Sequence, residues 1–311
     1  LDVNAVKFQL ADSSQVFSKE AFLADYHKKS KGYKANQNLI LEDKNRQLSR
    51  KEHLQISKYC KKKKIDYLCS PFDLGSLKFL INEIKIKKIK IPSGEIFSID
   101  LLKFLNKSKK NLKIILSTGM ATYKEINKSL RFLKNISKKN IKLLHCISNY
   151  PTKIDKVNLL SILEMKKRFK CEIGFSDHTV DNLTSAIAVG LGATIIEKHV
   201  TLNKNLPGPD HKMSLSISQF RDLVKKIRTV EKMLGSKLKP ISKEELKIQK
   251  VARKSIVSNK RLKVGSKIKI QDISYKRPGT GILPIFYKKI LNKKVKKLIH
   301  ADTTILKKYL Y

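Results

Sequence analysis

Short apolar runs alternate with amphipathic segments of helical period through the first 236 residues of the chain. The apolar runs predict seven strands, which span residues 5–10, 66–69, 89–92, 113–116, 142–146, 172–175 and 194–200. The segments between and after them predict helices such as those at residues 51–63, 74–86, 124–133, 181–191 and 218–234. Regular alternation of helices with short strands that are buried on both faces is typical of a parallel sheet.

Polar side chains stand at or just after the ends of these predicted strands. They are Ser70, Ser93, Glu95, Ser117, Thr118, Ser148, Tyr150, Ser176, His178, Glu197 and His199. In a (β/α)₈ TIM barrel the carboxyl ends of the strands carry the catalytic residues, so this distribution predicts that α/β fold. A closed barrel has eight strands. We therefore expect either that the first β/α unit is missing from this sequence, which opens on Leu1, or that the barrel is open at one edge.

The pattern changes after Leu234, where Gly and Lys/Glu-rich sequence replaces the β/α alternation. The predicted organisation is a barrel domain at residues 1–236, a linker at residues 237–250 and a small domain at residues 251–311. The small domain shows β-like pieces at residues 254–257 and 267–270, and turns at Gly265 and at residues 278–281. About sixty residues are near the lower limit for independent folding, so we expect this domain to pack on the barrel or on a partner chain.

A net charge of +42 raises the question of nucleic-acid binding. Only nine of the 68 basic residues are Arg, and Lys is spread over nearly every segment of the chain. Runs such as residues 61–64 and 293–297 are interpreted as solvated helix faces. Because no recognition helix, zinc finger or RNA-binding motif accompanies the charge, we expect weak, salt-sensitive adhesion and no specific nucleic-acid partner.

The four cysteines, Cys60, Cys69, Cys146 and Cys171, form no CxxC pair and lie beside or within apolar runs. They are predicted to be reduced and to behave as small buried hydrophobes, without disulfides or a zinc knuckle. No stretch approaches the roughly 18 to 20 apolar residues that span a bilayer, so no membrane partner is expected. The sequence also lacks a signal peptide, which predicts a cytoplasmic location.

Two histidines, His178 and His199, stand 21 residues apart at the ends of two predicted strands. The segment between them predicts a strand–helix–strand unit, which brings both imidazoles to the same end of neighbouring parallel strands. Two imidazoles so placed can share a metal ion, with Asp177 and Glu197 available to orient them by hydrogen bonds. The open coordination positions suit a Lewis acid that polarises a carbonyl, and imidazole ligation alone also permits Zn²⁺.

Motifs distributed over nearly the whole chain resemble those of the sialic acid synthases, including their N-acetylneuraminate and legionaminic acid branches. They are VKFQ at 6–9, KIPSGE at 90–95, ILSTGMAT at 115–122, LLHCISNYPT at 143–152, GFSDHT at 174–179, IIEKHVTL at 195–202, PGPDHKMSL at 207–215 and KRPGTGI at 276–282. The last motif resembles the antifreeze-like (SAF) domain that follows the barrel in these enzymes. The order of the motifs strengthens a resemblance that each motif alone would leave weak.

The resemblance implies that one set of side chains holds phosphoenolpyruvate in the barrel. The set is Lys7, Ser70, Lys90, Ser93, Ser117, Ser148 and Ser176. Cations and hydroxyls are suited to this because they form charge-assisted hydrogen bonds with phosphate. Strand alternation places Lys90 on the opposite face from Ser93 and Glu95, so we expect a bend or bulge near Pro92. Some members of the family have Asn where Ser148 stands.

The resemblance also implies how the amino sugar and the metal are bound. Glu95, Asp210 and Glu197 are the implied catalytic carboxylates, Glu95, Tyr150 and Asp210 line the sugar pocket, and His178 and His199 hold a divalent ion. Mn²⁺ is the implied ion, with Mg²⁺, Co²⁺ and Zn²⁺ as alternatives. Arg277 is implied to reach the N-acyl group of a sugar bound to a second subunit, in a domain-swapped homodimer. A glutamate on the first strand of the family has no counterpart in this sequence.

The implied reaction joins phosphoenolpyruvate, N-acetylmannosamine and water into N-acetylneuraminate and phosphate. A sibling reaction on a 2,4-diacetamido-trideoxymannose, which gives N,N'-diacetyllegionaminate, is the first alternative, because only the shape of the sugar pocket separates the two. The pseudaminic acid branch fits the SGE and GPDHK motifs less well. A catalytically inactive barrel that serves as a binding module is a further alternative, and a nucleic-acid binder is the last.

Overall fold

The computed structural model describes residues 2–22, 28, 44, 46–108 and 111–311 of the chain. It divides into two compact units, Leu1–Gly235 and Ser236–Tyr311, each with its own apolar core. Within the described part of the chain, no helix combines the length and the apolar character that crossing a membrane requires.

In its described residues, the first unit is built on seven parallel strands that follow the predicted order. They are β1 (Ala5–Leu10), β2 (Asp66–Pro71), β3 (Lys88–Ile91), β4 (Lys113–Ser117), β5 (Ile141–Cys146), β6 (Glu172–Asp177) and β7 (Ile196–Lys198). β1 pairs with β2, β2 lies beside β3, and β3 to β7 form one sheet in chain order. The predicted strand at 194–200 is interrupted at His199, after which β8 (Val200–Thr201) pairs with β9 (Leu215–Ser216). The curled parallel sheet confirms the prediction of a TIM-barrel fold.

Helices follow the strands. They are α1 (Ser13–Val16), α2 (Arg50–Lys62), α3 (Leu74–Asn82), α4 (Ile99–Lys107), α5 (Tyr123–Phe132), α6 (Ser161–Phe169), α7 (Leu183–Gly190) and α8 (Ile217–Leu234). Three of them, α2, α5 and α8, begin with a capping box, in which a Ser or Thr side chain and a Glu or Gln three residues later each bind the other's backbone N–H. These caps satisfy amide groups that a helix start would otherwise leave without partners, and they explain why the helices begin where they do.

Strand side chains alternate between the helix layer and the barrel interior. On β3, Ile89 and Ile91 belong to the apolar core that the helices cover, and Lys90 points the other way. On β6, Ile173 and Phe175 join the same core, which leaves Ser176 on the interior side. Because the outer faces of these strands are mainly apolar, polar residues such as Lys90 and Ser176 converge on the interior.

The second unit begins with helix α9 (Lys243–Ala252), which occupies much of the segment predicted as a linker. Strands β10 (Ser255–Ser258) and β11 (Ile273–Lys276) then pair in antiparallel fashion. The predicted strand at 267–270 is wrong, because that segment makes a single bridge, from Lys267 to Lys294, and then enters a 3₁₀ turn. Gly281 lies so close to Thr304 and Ile305 that no side chain would fit there, which explains a glycine at this point of the KRPGTGI motif.

Acid pH is expected to destabilise the first unit through its buried histidines. His53 is fully buried on α2, with Nδ1 2.6 Å from the hydroxyl oxygen of Tyr67. Burial lowers the pKa of His53, and that of His145, below the ordinary value of about 6.5. As pH falls below about 6.5 the unfolded chain takes up protons that the folded chain does not, so the free energy of unfolding decreases.

Thermal melts at about pH 7.5 and about pH 5 measure this effect. The variant His53→Gln has no imidazole to protonate at this position, so its Tm is expected to fall less between the two pH values than that of the wild type. The comparison uses the change in Tm within each protein, because the substitution also alters packing. Equal losses of Tm in both proteins would contradict the assignment of the acid destabilisation to His53.

Candidate functional site

The carboxylate of Glu197, on β7, is the centre of a polar cluster inside the barrel. Lys7 Nζ lies 2.8 Å from Glu197 Oε1, and Lys90 Nζ lies 2.8 Å from both carboxylate oxygens. Ser176 Oγ donates to Glu197 Oε1 at 2.9 Å. These four residues come from β1, β3, β6 and β7, so the cluster depends on the curvature of the sheet, which brings the first and seventh strands together.

The cluster carries more positive than negative charge. Two ammonium groups face one carboxylate, and they hold the pKa of Glu197 well below its usual range. Burial lowers the pKa of Lys90 to about 8, although the neighbouring Glu197 opposes that shift. At neutral pH Lys90 and Glu197 are therefore both charged, and the cluster of two lysines and one carboxylate suits an anionic ligand.

A second group of side chains converges around the backbone of Gly119. Its N–H donates to Ser93 Oγ at 3.0 Å, and Cys146 Sγ lies 3.2 Å from the same oxygen. A Cβ atom at position 119 would collide with Ser93, Cys146 and Ser148 together. Gly119 and Cys146 are not among the site residues that the sequence predicts. Strand alternation was the available signal for Cys146, because it stands two residues before Ser148.

Ser70 is the last residue but one of β2, Ser117 is the last residue of β4, and both are almost completely buried. Among the residues that the structure describes, Ser70 Oγ is a buried oxygen without a hydrogen-bond partner. A buried hydroxyl without a partner is costly, so one that faces a cavity is suited to a ligand. The structure thus places Ser70 and Ser117 at the carboxyl ends of their strands, as the sequence predicts.

Glu95 reaches the same end of the barrel because the chain turns after β3. The strand ends at Ile91, and a 3₁₀ helix begins at Ser93, directly after Pro92. This turn explains how residues of opposite strand alternation can share a site, as the predicted bend near Pro92 requires. Glu95 accepts a hydrogen bond from the Ser98 hydroxyl, and burial raises the pKa of its carboxyl group.

The imidazoles of His178 and His199 lie edge to face, with ring centroids 5.7 Å apart and an angle of 63° between their planes. His178 follows β6, and its Nδ1 lies 2.7 Å from the carbonyl oxygen of Ile147. The Thr152 N–H donates to the His178 carbonyl at 2.9 Å, so the loop after β5 binds this residue at two points. The Tyr150 ring lies 4.2 Å from the His178 ring and 6.2 Å from the His199 ring.

The protonation states of the two histidines fit a metal ion. Burial lowers the pKa of His178 to about 4, and burial also lowers the pKa of His199, so both rings are neutral at pH 7. The Ile147 carbonyl fixes the proton of His178 on Nδ1, which leaves the Nε2 lone pair available. Within the described ranges, there is no group of three or more His, Cys, Asp or Glu side chains that could hold a metal ion. An ion here would use two imidazoles and take its other ligands from water or substrate.

Comparison with known proteins assigns the family. The NeuB family matches residues 1–239, and the SAF domain matches residues 253–310. The chain belongs to the NeuB family. The predicted resemblance to sialic acid synthases with an antifreeze-like domain is thereby confirmed.

Several relatives of this NeuB protein are named synthases. It is 40% identical to N,N'-diacetyllegionaminic acid synthase of Campylobacter jejuni over 96% of this chain and 89% of the relative. It is 36% identical to the synthase of the same name from Legionella pneumophila, over 97% and 85% of the two chains. The solved N-acetylneuraminic acid synthetase of Leptospira borgpetersenii, in complex with citrate, is 32% identical with a TM-score of 0.68 and coverage of 79% and 80%. The NeuB chain is therefore an enzyme of the synthase type.

The structure corrects one prediction about the two histidines of the NeuB site. Asp177 and Glu197 do not orient the imidazoles by direct hydrogen bonds. Glu197 binds the lysines and reaches His178 only through Ser176, whose Oγ lies 3.3 Å from His178 Nε2. Asp177 points to the opposite side of β6 and pairs with Lys198. The backbone carbonyl of Ile147 orients His178 instead. No sequence pattern predicts this contact.

Asp210 lies near the histidine pair of the NeuB chain, whereas Arg277 lies in the second unit. Asp210 Oδ2 lies 3.7 Å from His199 Nδ1, which is beyond hydrogen-bond distance. Arg277 is exposed and belongs to the second unit. Its predicted contact with a sugar in a second subunit, and the swapped homodimer that this contact requires, stay predictions.

Proposed function

We propose that the protein condenses phosphoenolpyruvate with an N-acyl amino sugar to give a nonulosonic acid and phosphate. The observation that carries this proposal is the position of the cationic cluster around Glu197, which is joined through Ser176 to the paired imidazoles. The cationic cluster suits a small phosphorylated carboxylate, and the paired imidazoles suit the polarisation of a carbonyl group. Family membership and the synthase names of the relatives support the same chemistry.

Phosphoenolpyruvate is assigned to the interior of the barrel. Lys7 and Lys90 supply positive charge, and hydroxyl groups at the strand ends supply hydrogen bonds to the phosphate and carboxylate oxygens. These hydroxyl groups belong to Ser70, Ser93, Ser117, Ser148 and Ser176. Gly119 allows Ser93 and Ser148 to approach each other, because its position has no room for a side chain.

His178 and His199 are assigned to a divalent ion, for which Mn²⁺ is our first choice. Their neutral imidazoles and the lone pair on His178 Nε2 support this assignment. When bound, such an ion supplies Lewis-acid polarisation of the sugar aldehyde. Mg²⁺, Co²⁺ and Zn²⁺ remain alternatives for the same ligands.

In the proposed reaction, carbon 3 of phosphoenolpyruvate attacks the aldehyde carbon of the open-chain sugar, and a carbon–carbon bond forms. Water then adds to carbon 2, and phosphate leaves by cleavage of the carbon–oxygen bond. Lys7 and Lys90 stabilise the anionic reactant and the departing phosphate. Glu95, whose pKa is raised by burial, is suited to exchange a proton with a sugar hydroxyl. Asp210 and Tyr150 border the histidine pair on the side assigned to the sugar.

The acceptor sugar that we favour is a 2,4-diacetamido-trideoxymannose, because two relatives that match nearly the whole chain are legionaminic acid synthases. N-Acetylmannosamine is the second candidate, and the likeness to a solved N-acetylneuraminic acid synthetase supports it. The two sugars differ at carbons 4 and 6, so the residues that face those positions decide between them. We assign Arg277 of a second subunit to the N-acyl group, as the family resemblance implies.

Phosphate release by the full-length protein tests the proposal. The assay contains phosphoenolpyruvate, Mn²⁺ and one sugar from a panel of mannosamine derivatives. Phosphate is expected to appear only when both substrates are present, and kcat/KM is expected to be highest for the diacetamido sugar. If no sugar in the panel releases phosphate, the proposed reaction is contradicted. Higher kcat/KM with N-acetylmannosamine would instead establish the second candidate.

A further inference from the structure

A buried ion pair lies behind the two strands that lead to the histidines. Asp177 is the last residue of β6, Lys198 is the last residue of β7, and the two are register partners. Lys198 Nζ lies 2.8 Å from Asp177 Oδ2, and the side chains are 2% and 0% exposed. Asp177 directly precedes His178, and Lys198 directly precedes His199. The pair therefore joins the two backbone segments that carry the imidazoles.

Lys198 also fixes the turn that follows His178. Its Nζ donates to the carbonyl oxygen of Thr179 at 2.6 Å and to that of Asp181 at 3.0 Å. Since His178 lies between Asp177 and Thr179, its backbone is bound on both sides by the same ammonium group. Alternation along the strand directs Lys198 away from the interior, so it acts on the imidazole only through the backbone.

Asp177 has a partner for every interaction that its two oxygens can make. Oδ1 accepts from the backbone N–H and the hydroxyl group of Thr179, at 2.9 and 2.8 Å. Oδ2 accepts from Thr184 Oγ1 at 2.8 Å and from Ser185 Oγ at 2.6 Å, in addition to Lys198. Thr184 and Ser185 lie in the first turn of α7. The network thus connects β6, β7 and α7, and a complete network of buried charges holds one arrangement.

We propose that Asp177 and Lys198 are positioning residues that set the separation of the His178 and His199 rings, and thereby the affinity of the site for a divalent ion. The inference rests on the proposed function, which assigns an ion to these rings. The site needs such support because β7 has only three residues and ends directly before His199. The contacts that hold each residue separately, from Ile147 and Thr152 to His178 and from Leu215 to His199, do not join the two segments, whereas the pair and the short β6–β7 ladder do.

The test compares two double variants that remove a cross-strand ion pair. Asp177→Asn with Lys198→Met removes the buried pair and leaves no unpaired charge. The control is Lys142→Met with Glu172→Gln. These residues are also register partners, at the amino ends of β5 and β6, and Lys142 Nζ lies 2.7 Å from Glu172 Oε2. Mn²⁺ affinity is measured by calorimetry on each protein without substrates, and circular dichroism and thermal melts report folding.

The folded Asp177→Asn/Lys198→Met variant is expected to bind Mn²⁺ about tenfold or more weakly than the wild type, as loss of the groups that orient metal ligands typically does. The control is expected to keep its affinity within about twofold, well below that typical loss. Wild-type affinity in the folded variant would overturn the proposal. If the variant does not fold, Ser185→Ala removes one bond to Asp177 without changing charge, and unchanged Mn²⁺ affinity there would overturn the proposal.

A wild-type protein that binds no Mn²⁺ would contradict the metal assignment and not the role of the ion pair. In that case the ¹⁵N resonances of the histidine rings decide. Wild-type His178 is expected to show a single tautomer protonated on Nδ1, because of the Ile147 carbonyl. Mixed tautomers in the Asp177→Asn/Lys198→Met variant, but not in the control, would support the proposal that the ion pair positions the histidine rings. Identical spectra in all three proteins would overturn it.

Discussion

Replacing His178 with alanine is expected to lower kcat/KM by about a thousandfold or more, equivalent to about 4 kcal/mol of lost transition-state stabilisation. Burial keeps this imidazole neutral, with a pKa of about 4, and the Ile147 carbonyl holds its proton on Nδ1, which leaves the Nε2 lone pair available. The substitution removes one of the two proposed metal ligands. Mn²⁺ titration by calorimetry and the phosphate-release assay measure the two consequences separately.

The control for this experiment is His300→Ala, since His300 is exposed and lies in the second unit. This variant is expected to keep both Mn²⁺ binding and activity. A folded His178→Ala protein that retains wild-type activity would rule out the assigned metal site. If activity is lost while Mn²⁺ affinity is retained, His178 would act on the substrate and not as a ligand.

Much of the barrel could be predicted from the sequence because its strands are buried on the outer face. Apolar alternation marks each strand locally, and β1 is observed at the predicted residues, Ala5–Leu10. The break at His199 could not be predicted, because β-branched residues, which favour strands, stand on both sides of it at Ile195, Ile196 and Val200. Helix propensity and capping act within a few residues, which is why the helix starts agree with prediction to within one or two residues.

The polar cluster could be predicted only as a set of residues that face the same side. The ammonium groups of Lys7 and Lys90 come from positions far from Glu197 in the chain, and their contacts exist because the sheet curls. Local pattern cannot show which cation meets which carboxylate. The error over Asp177 has a different cause. Strand alternation can be read from the sequence, and it directs the Asp177 side chain away from that of its neighbour His178 and toward Lys198 on the other face.

Replacing Lys90 with methionine is expected to raise the KM for phosphoenolpyruvate by about 10- to 100-fold, the effect of losing one charge-assisted hydrogen bond of about 1.5–3 kcal/mol. Methionine fills a similar volume, and Glu197 keeps Lys7 and Ser176 as partners, so the fold is expected to survive. Lys88→Met is the matched control on the same strand, because Lys88 pairs with the exposed Asp66.

The pH dependence of KM separates the charge of Lys90 from its volume. Burial lowers the pKa of Lys90 to about 8, so the wild-type side chain loses its proton as pH rises above that value. The KM for phosphoenolpyruvate is therefore expected to rise about tenfold between about pH 7 and about pH 9 in the wild type and in Lys88→Met. The Lys90→Met variant has no proton to lose there, so its KM is expected to stay nearly constant over the same interval. A parallel rise in all three proteins would assign the pH effect to another group and remove Lys90 from the phosphoenolpyruvate site.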